Sequence, residues 1–122
     1  MTPNFSNAEL ACKCGCGLLP PRAFMNKVQA LRDAYGKPMH VASAARCPTH
    51  NAKVSSTGLD GPHTKGAIDV EVRGGDALQL VGFALQHGFT GIGVSQKGAS
   101  RFIHLDDLPN GPGCPRPWIW SY

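Results

Sequence analysis

The chain has 122 residues, 42% of them hydrophobic and 16% charged; that is the composition of one folded domain and excludes a disordered chain. Twelve Lys and Arg against eight Asp and Glu leave a net charge of +4, which suits an anionic polymer such as nucleic acid or a bacterial cell wall, but equally an ordinary basic protein. The basic residues are scattered and form none of the runs of a nucleic-acid arm, and no apolar stretch approaches the roughly 20 residues that span a bilayer.

The N-terminal Met-Thr-Pro-Asn-Phe-Ser has neither the basic start nor the apolar centre of a secretory signal. A cytoplasmic product is therefore expected, one that reaches any substrate outside the membrane only after release or export by another factor. In residues 5–10, Ser6 stands three residues before Glu9, a capping box that predicts a helical turn. Pro20 and Pro21 open a helix reaching about residue 35, with Phe24, Val28, Leu31 and Tyr35 on one face and Gly36 as its stop. Residues 39–44 read as a short strand and residues 46–62 as a polar loop. Residues 67–72 alternate, with Ile68, Val70 and Val72 on one face and Ala67, Asp69 and Glu71 on the other. Asp76 caps a second helix to about residue 86, with Leu78, Val81 and Leu85 on one side and Gly88 ending it. Residues 90–94 and 101–105 are two further strands around a turn at Lys97 and Gly98. The tail from Asp107 is rich in Pro and Gly and closes with Pro-Trp-Ile-Trp-Ser-Tyr. The expected fold is α+β, a single domain over residues 1–122 with two main helices and a small antiparallel sheet.

Five cysteines are an odd number. Cys12, Cys14 and Cys16 alternate within Cys-Lys-Cys-Gly-Cys-Gly, whereas Cys47 and Cys114 stand alone. A zinc ribbon uses Cys-x-x-Cys pairs, so this spacing leaves three readings open: structural thiols, one disulfide from the cluster to Cys47, or a second metal site.

Two segments carry the chemistry, His63-Thr-Lys-Gly-Ala-Ile-Asp69 and Phe102-Ile-His104-Leu-Asp106. Strand periodicity points Asp69 away from the core face and puts Phe102, His104 and Asp106 together on one face of the later strand. Taken singly, each is an ordinary solvated aspartate or surface histidine. Together, His63, Asp69 and His104 make a two-imidazole, one-carboxylate set that leaves a tetrahedral zinc one open position for water, the catalytic arrangement. Such a site is a route to amide hydrolysis.

The order Phe-Ser-x-x-Glu-Leu-x-Cys, Lys-Pro-Met-His-Val-Ala-Ser-Ala-Ala-Arg-Cys-Pro-Thr-His-Asn, His63 to Asp69, and Phe-Ile-His-Leu-Asp resembles the zinc D-Ala-D-Ala carboxypeptidase family. It is most similar to the compact peptidoglycan peptidases found among phage endolysins. The resemblance implies a zinc metallopeptidase of D,D-carboxypeptidase or endopeptidase type that acts on bacterial peptidoglycan, as a monomer and without nucleic acid. It implies Zn²⁺ held by His63, Asp69 and His104, and Arg46 as the arginine that binds substrate near the reacting carbonyl. His50 and Asn51 order the loop. Asp106 is implied as the general base or as a group that orients a ligand.

Three positions depart from the family pattern Ser-x-His-x-x-Gly-x-Ala-x-Asp. His63 to Asp69 is six positions rather than seven, Gly61 replaces the serine, and Arg101 stands where many relatives carry an acidic base. The expected mechanism uses a water of pKa about 7 at the zinc, with Asp106 accepting its proton and Arg46 stabilising the oxyanion. Trp118, Trp120 and Tyr122 pin the tail to the core or stack on glycan or peptide. Two alternatives remain: a non-catalytic wall-binding module of the same fold, favoured by these departures, and a nucleic-acid-binding protein with a zinc knuckle at Cys12, Cys14 and Cys16.

Overall fold

Ser6 and Glu9 do close a capping box, the Ser6 hydroxyl accepting from the Glu9 amide at 3.3 Å and the Glu9 carboxylate from the Ser6 amide at 3.1 Å. They start the short helix α1 (Asn7–Leu10) in a computed structural model that describes residues 1–122. Helix α2 (Arg22–Tyr35) buries Phe24, Met25, Val28, Leu31 and Tyr35 on one face. It ends where Gly36 takes a left-handed φ of 75° and returns its amide to the Arg32 carbonyl at 2.9 Å. After strand β1 (His40–Ser43) come helix α3 (Pro48–Val54) and a 3₁₀ turn, Pro62–Thr64. Strand β2 (Ala67–Glu71), helix α4 (Gly74–Gln86) and strands β3 (Gly91–Ser95), β4 (Phe102–Asp106) and β5 (Trp118–Ser121) complete the chain. No helix is long and apolar enough to cross a membrane.

The five strands form one sheet in the order β1-β2-β4-β3-β5. Ile68 and Val70 of β2, Ile92 of β3, and Ile103 and Leu105 of β4 share a core with Phe24, Val28 and Leu31 of α2 and Leu80 and Ala84 of α4. One face of the sheet is thereby sealed by the two main helices. The other face, carrying the intervening residues of the same strands, is left for the site.

The α+β class is as expected, with three corrections. The sheet is mixed rather than antiparallel: β1, β2, β4 and β3 pair antiparallel, but β5 runs parallel to β3. The cause is connectivity. Strand β4 ends beside the start of β3, where Asp106 opposes Gly91, so a tail crossing to the far side of β3 must run along it in β3's own direction. Its Trp118 amide bonds the Thr90 carbonyl at 2.9 Å, covering an edge that would otherwise be open. The loop expected over residues 46–62 contains α3, whose polar composition hid it, with Pro48 at its first turn and Cys47 as its cap. Helix α4, finally, is turned from the expected face. Ala77, Leu80 and Ala84 are buried, while Leu78 and Leu85 are 76% and 59% exposed. Two alanines let the helix approach the sheet more closely than a leucine stripe allows, and Asp76 pairs with Lys37 at 2.7 Å instead of capping.

Replacing Leu80 by Ala should therefore cost roughly 2–5 kcal/mol, and Leu85→Ala no more than about 0.5 kcal/mol. Denaturant melts of the two variants check this, and the reverse ranking would show the helix to be rotated.

Candidate metal centre and cleft

Asp69 and His104 are directly opposed partners of the antiparallel β2–β4 pair, so their side chains leave the same face of the sheet side by side. His63 reaches them from the 3₁₀ turn. One Asp69 oxygen, Oδ1, lies 3.2 Å from His63 Nε2 and 3.0 Å from His104 Nδ1. All three side chains are buried, and their ligand atoms lie within 4.8 Å of one another. These separations approach the edge, about 3.3 Å, of a tetrahedron with metal–nitrogen bonds of 2.0–2.1 Å.

The partners on the far side of each ring fix which nitrogen is bare. His63 Nδ1 lies 2.6 Å from the Ala44 carbonyl, an atom that only accepts, so Nδ1 carries the hydrogen and Nε2 presents a lone pair. His104 Nε2 lies 2.8 Å from Asp106 Oδ2 and donates to it, leaving Nδ1 bare on the Asp69 side. Two imidazole lone pairs and a carboxylate oxygen thus converge on one point with no hydrogen between them in the neutral tautomers. A cation satisfies that arrangement, and each ring is steadied from behind in the manner of metal-ligating histidines. The donor set fits zinc.

Where no cation occupies that point, ring protons take its place beside Asp69. Burial alone would raise the Asp69 carboxyl, but hydrogen bonds and charge from His104 and His63 hold it well below the ordinary range. Burial alone would lower His104, but Asp106 and Asp69 raise it. Burial likewise opposes ionisation of Asp106, yet His104 and Arg116 bring it down to about 2.

Arg116 is the residue that sequence reasoning missed. Its Nε and Nη2 donate to the two Asp106 oxygens at 2.9 and 2.8 Å, so a fully buried carboxylate is gripped in two-pronged fashion from the tail. Gly91 and Gly93 of β3 oppose Asp106 and His104. A Cβ on Gly91 would overlap the Asp106 carboxylate, and one on Gly93 would come within 2.8 Å of the Trp120 ring and 2.9 Å of His104 Cβ. The alternation of Gly91 and Gly93 against His104 and Asp106 was the one available sign that something packs closely there. Trp120 does so, its ring 4.9 Å from that of His104.

The three ligand candidates lie on a cleft of about 750 Å³ whose lining also includes Arg46, Thr57 and Trp120. Arg46 donates to Asn51 Oδ1 at 3.0 Å and to the Ser43 hydroxyl at 3.3 Å, and its Nη2 stands 3.8 Å from Asp69 Oδ2. Asn51 is buried and ties the loop through Thr57 Oγ1 at 2.9 Å and the Gly58 carbonyl at 2.6 Å, the ordering role expected of it. A side chain at Gly61 would collide with that same Thr57 hydroxyl, so glycine is required where the family pattern has serine. Arg101 bonds the Gly98 carbonyl at 3.0 Å in the β3–β4 turn and lies outside the cleft.

The expectation for Asp106 as general base needs correction. The carboxylate is wholly buried behind His104, occupied by Arg116, and not part of the cleft lining, so it has no path to a water or substrate there. What it does is hold a ring.

The peptidase M15 family model matches residues 3–106. The chain belongs to that family. Its members are zinc-dependent metallopeptidases of the D-Ala-D-Ala carboxypeptidase-like kind, and the buried His63, Asp69 and His104 form a group that could bind the metal. No curated protein matches the chain. Residues 107–122, which supply Arg116 and Trp120, lie beyond the matched span. Within it, the six positions from His63 to Asp69 comprise the end of the 3₁₀ turn, Gly66 and the start of β2. Gly66 bonds the Pro62 carbonyl at 2.9 Å with a φ of 152°, and β2 starts directly after it.

Cutting Arg116 back to Met should strand the Asp106 charge in the interior and lower stability by roughly 3–5 kcal/mol, as for other broken buried pairs. Thermal unfolding of the variant measures it, and an unchanged midpoint would mean that Asp106 finds another partner.

Proposed function

We propose that this M15 metallopeptidase hydrolyses peptide bonds of bacterial peptidoglycan, in the stem peptide or its cross-links, in the manner of a phage endolysin, acting on the wall after release or export by another factor. The observation that carries the reading is the convergence of His63 Nε2, Asp69 Oδ1 and His104 Nδ1 at an open cleft. His63, Asp69 and His104 would hold zinc, and the chemistry that zinc supplies when bound is Lewis acidity toward a carbonyl and a water acidic enough to react near neutral pH.

The chain's own residues do the rest. Arg46, half-buried and held by Asn51 and Ser43, offers a preset cation to a substrate carboxylate or to an oxyanion as it develops. Its place beside Asp69 keeps that charge next to the reacting centre. Trp120 and Tyr122 wall the cleft with aromatic surface. Asp106, fixed by Arg116, keeps the hydrogen of His104 on Nε2, so that Nδ1 stays a ligand rather than a donor. The net charge of +4 favours residence near an anionic wall polymer and weakens with salt.

Purified muropeptides digested with the zinc-loaded protein should yield hydrolysis products whose masses identify the bond cut. Binding to peptidoglycan with no product from fully loaded protein would replace the enzyme reading with a wall-binding module. Asp106→Asn separates orientation from proton transfer. As a positioning residue, Asp106 should on substitution weaken zinc affinity by roughly 10–100-fold, seen by competition with a chromophoric chelator, with turnover recovering as zinc is raised. A loss of turnover on the order of 10²–10⁴ with zinc affinity intact is the mark of a general base and would reinstate that role.

A further inference from the structure

Three cysteines at alternate positions have no reason to meet in an extended chain, where their side chains would leave one face about 7 Å apart. Here they meet. The segment after α1 curls into a loop closed by the Cys12 amide on the Leu18 carbonyl at 2.9 Å and the Gly15 amide on the Cys12 carbonyl at 3.2 Å. Gly15 and Gly17 make the curl possible by taking φ values of 87° and 85°, which a side chain would resist. The fourth cysteine, Cys47, comes from the far end of β1 as the cap of α3.

All five cysteines are free thiols, yet the Sγ atoms of Cys12, Cys14, Cys16 and Cys47 lie within 4.8 Å of one another. Cys12 to Cys14 is 3.4 Å and Cys14 to Cys47 is 3.6 Å. A tetrahedron with zinc–sulfur bonds of 2.3 Å has an edge of about 3.8 Å, close to both separations. A polynuclear iron–sulfur cluster places several atoms between its thiolates and needs them farther apart. Hydrophobic burial does not explain the gathering, since Cys14 and Cys16 are exposed. Two backbone amides already point at the sulfurs, Cys47 at Cys12 Sγ at 3.3 Å and His50 at Cys47 Sγ at 3.4 Å, an arrangement that stabilises thiolates.

We propose that Cys12, Cys14, Cys16 and Cys47 bind a second zinc ion, in a closed four-thiolate site with a structural role. Binding replaces four S–H protons by one Zn²⁺, with the protons released to solvent, and leaves no position open for water or substrate. The ion ties the N-terminal loop to the residue that follows Arg46, so it secures the segment from which the cleft's arginine projects. Cys114 stands apart from the group. Of the readings that the sequence leaves open for the cluster, this is the second metal site, with Cys47 as its fourth ligand.

The test is metal stoichiometry on the full chain reconstituted with zinc sulfate alone. Wild type should hold two equivalents. The double variant Cys14→Ser, Cys16→Ser, changed at two exposed positions, should hold one and melt at lower temperature. His104→Ala should also hold one, but should keep the intense near-ultraviolet thiolate-to-metal absorption when cobalt replaces zinc, which the cysteine variant should lose. That pairing separates this site from the histidine site, so either can fail without the other. Should the cysteine variant not fold, thiol titration of wild type decides instead. One fast-reacting thiol, Cys114, and four more released by a chelator support the site. Five thiols reactive at once in zinc-replete protein, thiols silent even after chelation, or bound iron in place of zinc each overturn it.

Discussion

A carboxylate buried behind a histidine organises this molecule. Asp106 has no exposed surface, and an unpaired charge in such a place costs several kcal/mol. Its two oxygens are therefore met by the Nε2 hydrogen of His104 and by the forked guanidinium of Arg116. Each partner imposes something further. His104, fixed in one tautomer, turns its other nitrogen to Asp69. Arg116 commits the tail to cross the site face, which carries Trp120 over His104 and lays β5 along β3. The glycines of β3 follow, because neither the carboxylate nor the indole leaves space for a Cβ.

Charges alternate along this line: Arg46, Asp69, the two imidazoles, Asp106, Arg116. A cation between the imidazoles and Asp69 completes the series, since Asp69 then faces positive charge on both sides and Asp106 already has its own. The two arginines have different freedoms. Both line the cleft, but the hydrogen-bond partners of Arg46 are the neutral Asn51 and Ser43, whereas Arg116 spends its fork on the Asp106 carboxylate.

The parts of this that sequence periodicity reveals are those set by local rules. The α1 capping box, the Gly36 stop and the alternation around Ile68 and Val70 all appear as read, because each depends on neighbours within a turn or a strand. His63, Asp69 and His104 come together as the motif order implied. What escaped was decided by distant partners. The α4 stripe was misjudged because Leu78 and Leu85 are as apolar as Leu80, and only the sheet beneath chooses between them. Strand β5 is four residues long in a Pro- and Gly-rich tail, and its strand character comes from the free edge of β3. Asp106 was placed on the right face, yet its role hinged on Arg116, ten residues away in a segment without periodicity. Gly61 looked like a lost serine, and only the position of Thr57 shows why a side chain cannot stand there.

Core and site are interleaved on the same strands, and this constrains where the chain tolerates change. In β2, Asp69 lies between Ile68 and Val70, and in β4, His104 lies between Ile103 and Leu105; all four neighbours are essentially excluded from solvent. A shift of one residue in either strand would drive a ligand into the helix-covered core and expose two aliphatic side chains, so the register is held by the hydrophobic effect on both. The one-residue shortening between His63 and Asp69 therefore has to be taken up outside the strand. The room for it is the turn ending at Gly66, where a φ of 152° and the absence of a side chain give the backbone the latitude that Ile68 and Val70 deny it. The same packing that makes the fold stable thus keeps Asp69 opposite His104, and the length of the loop that brings His63 is the part left free to vary.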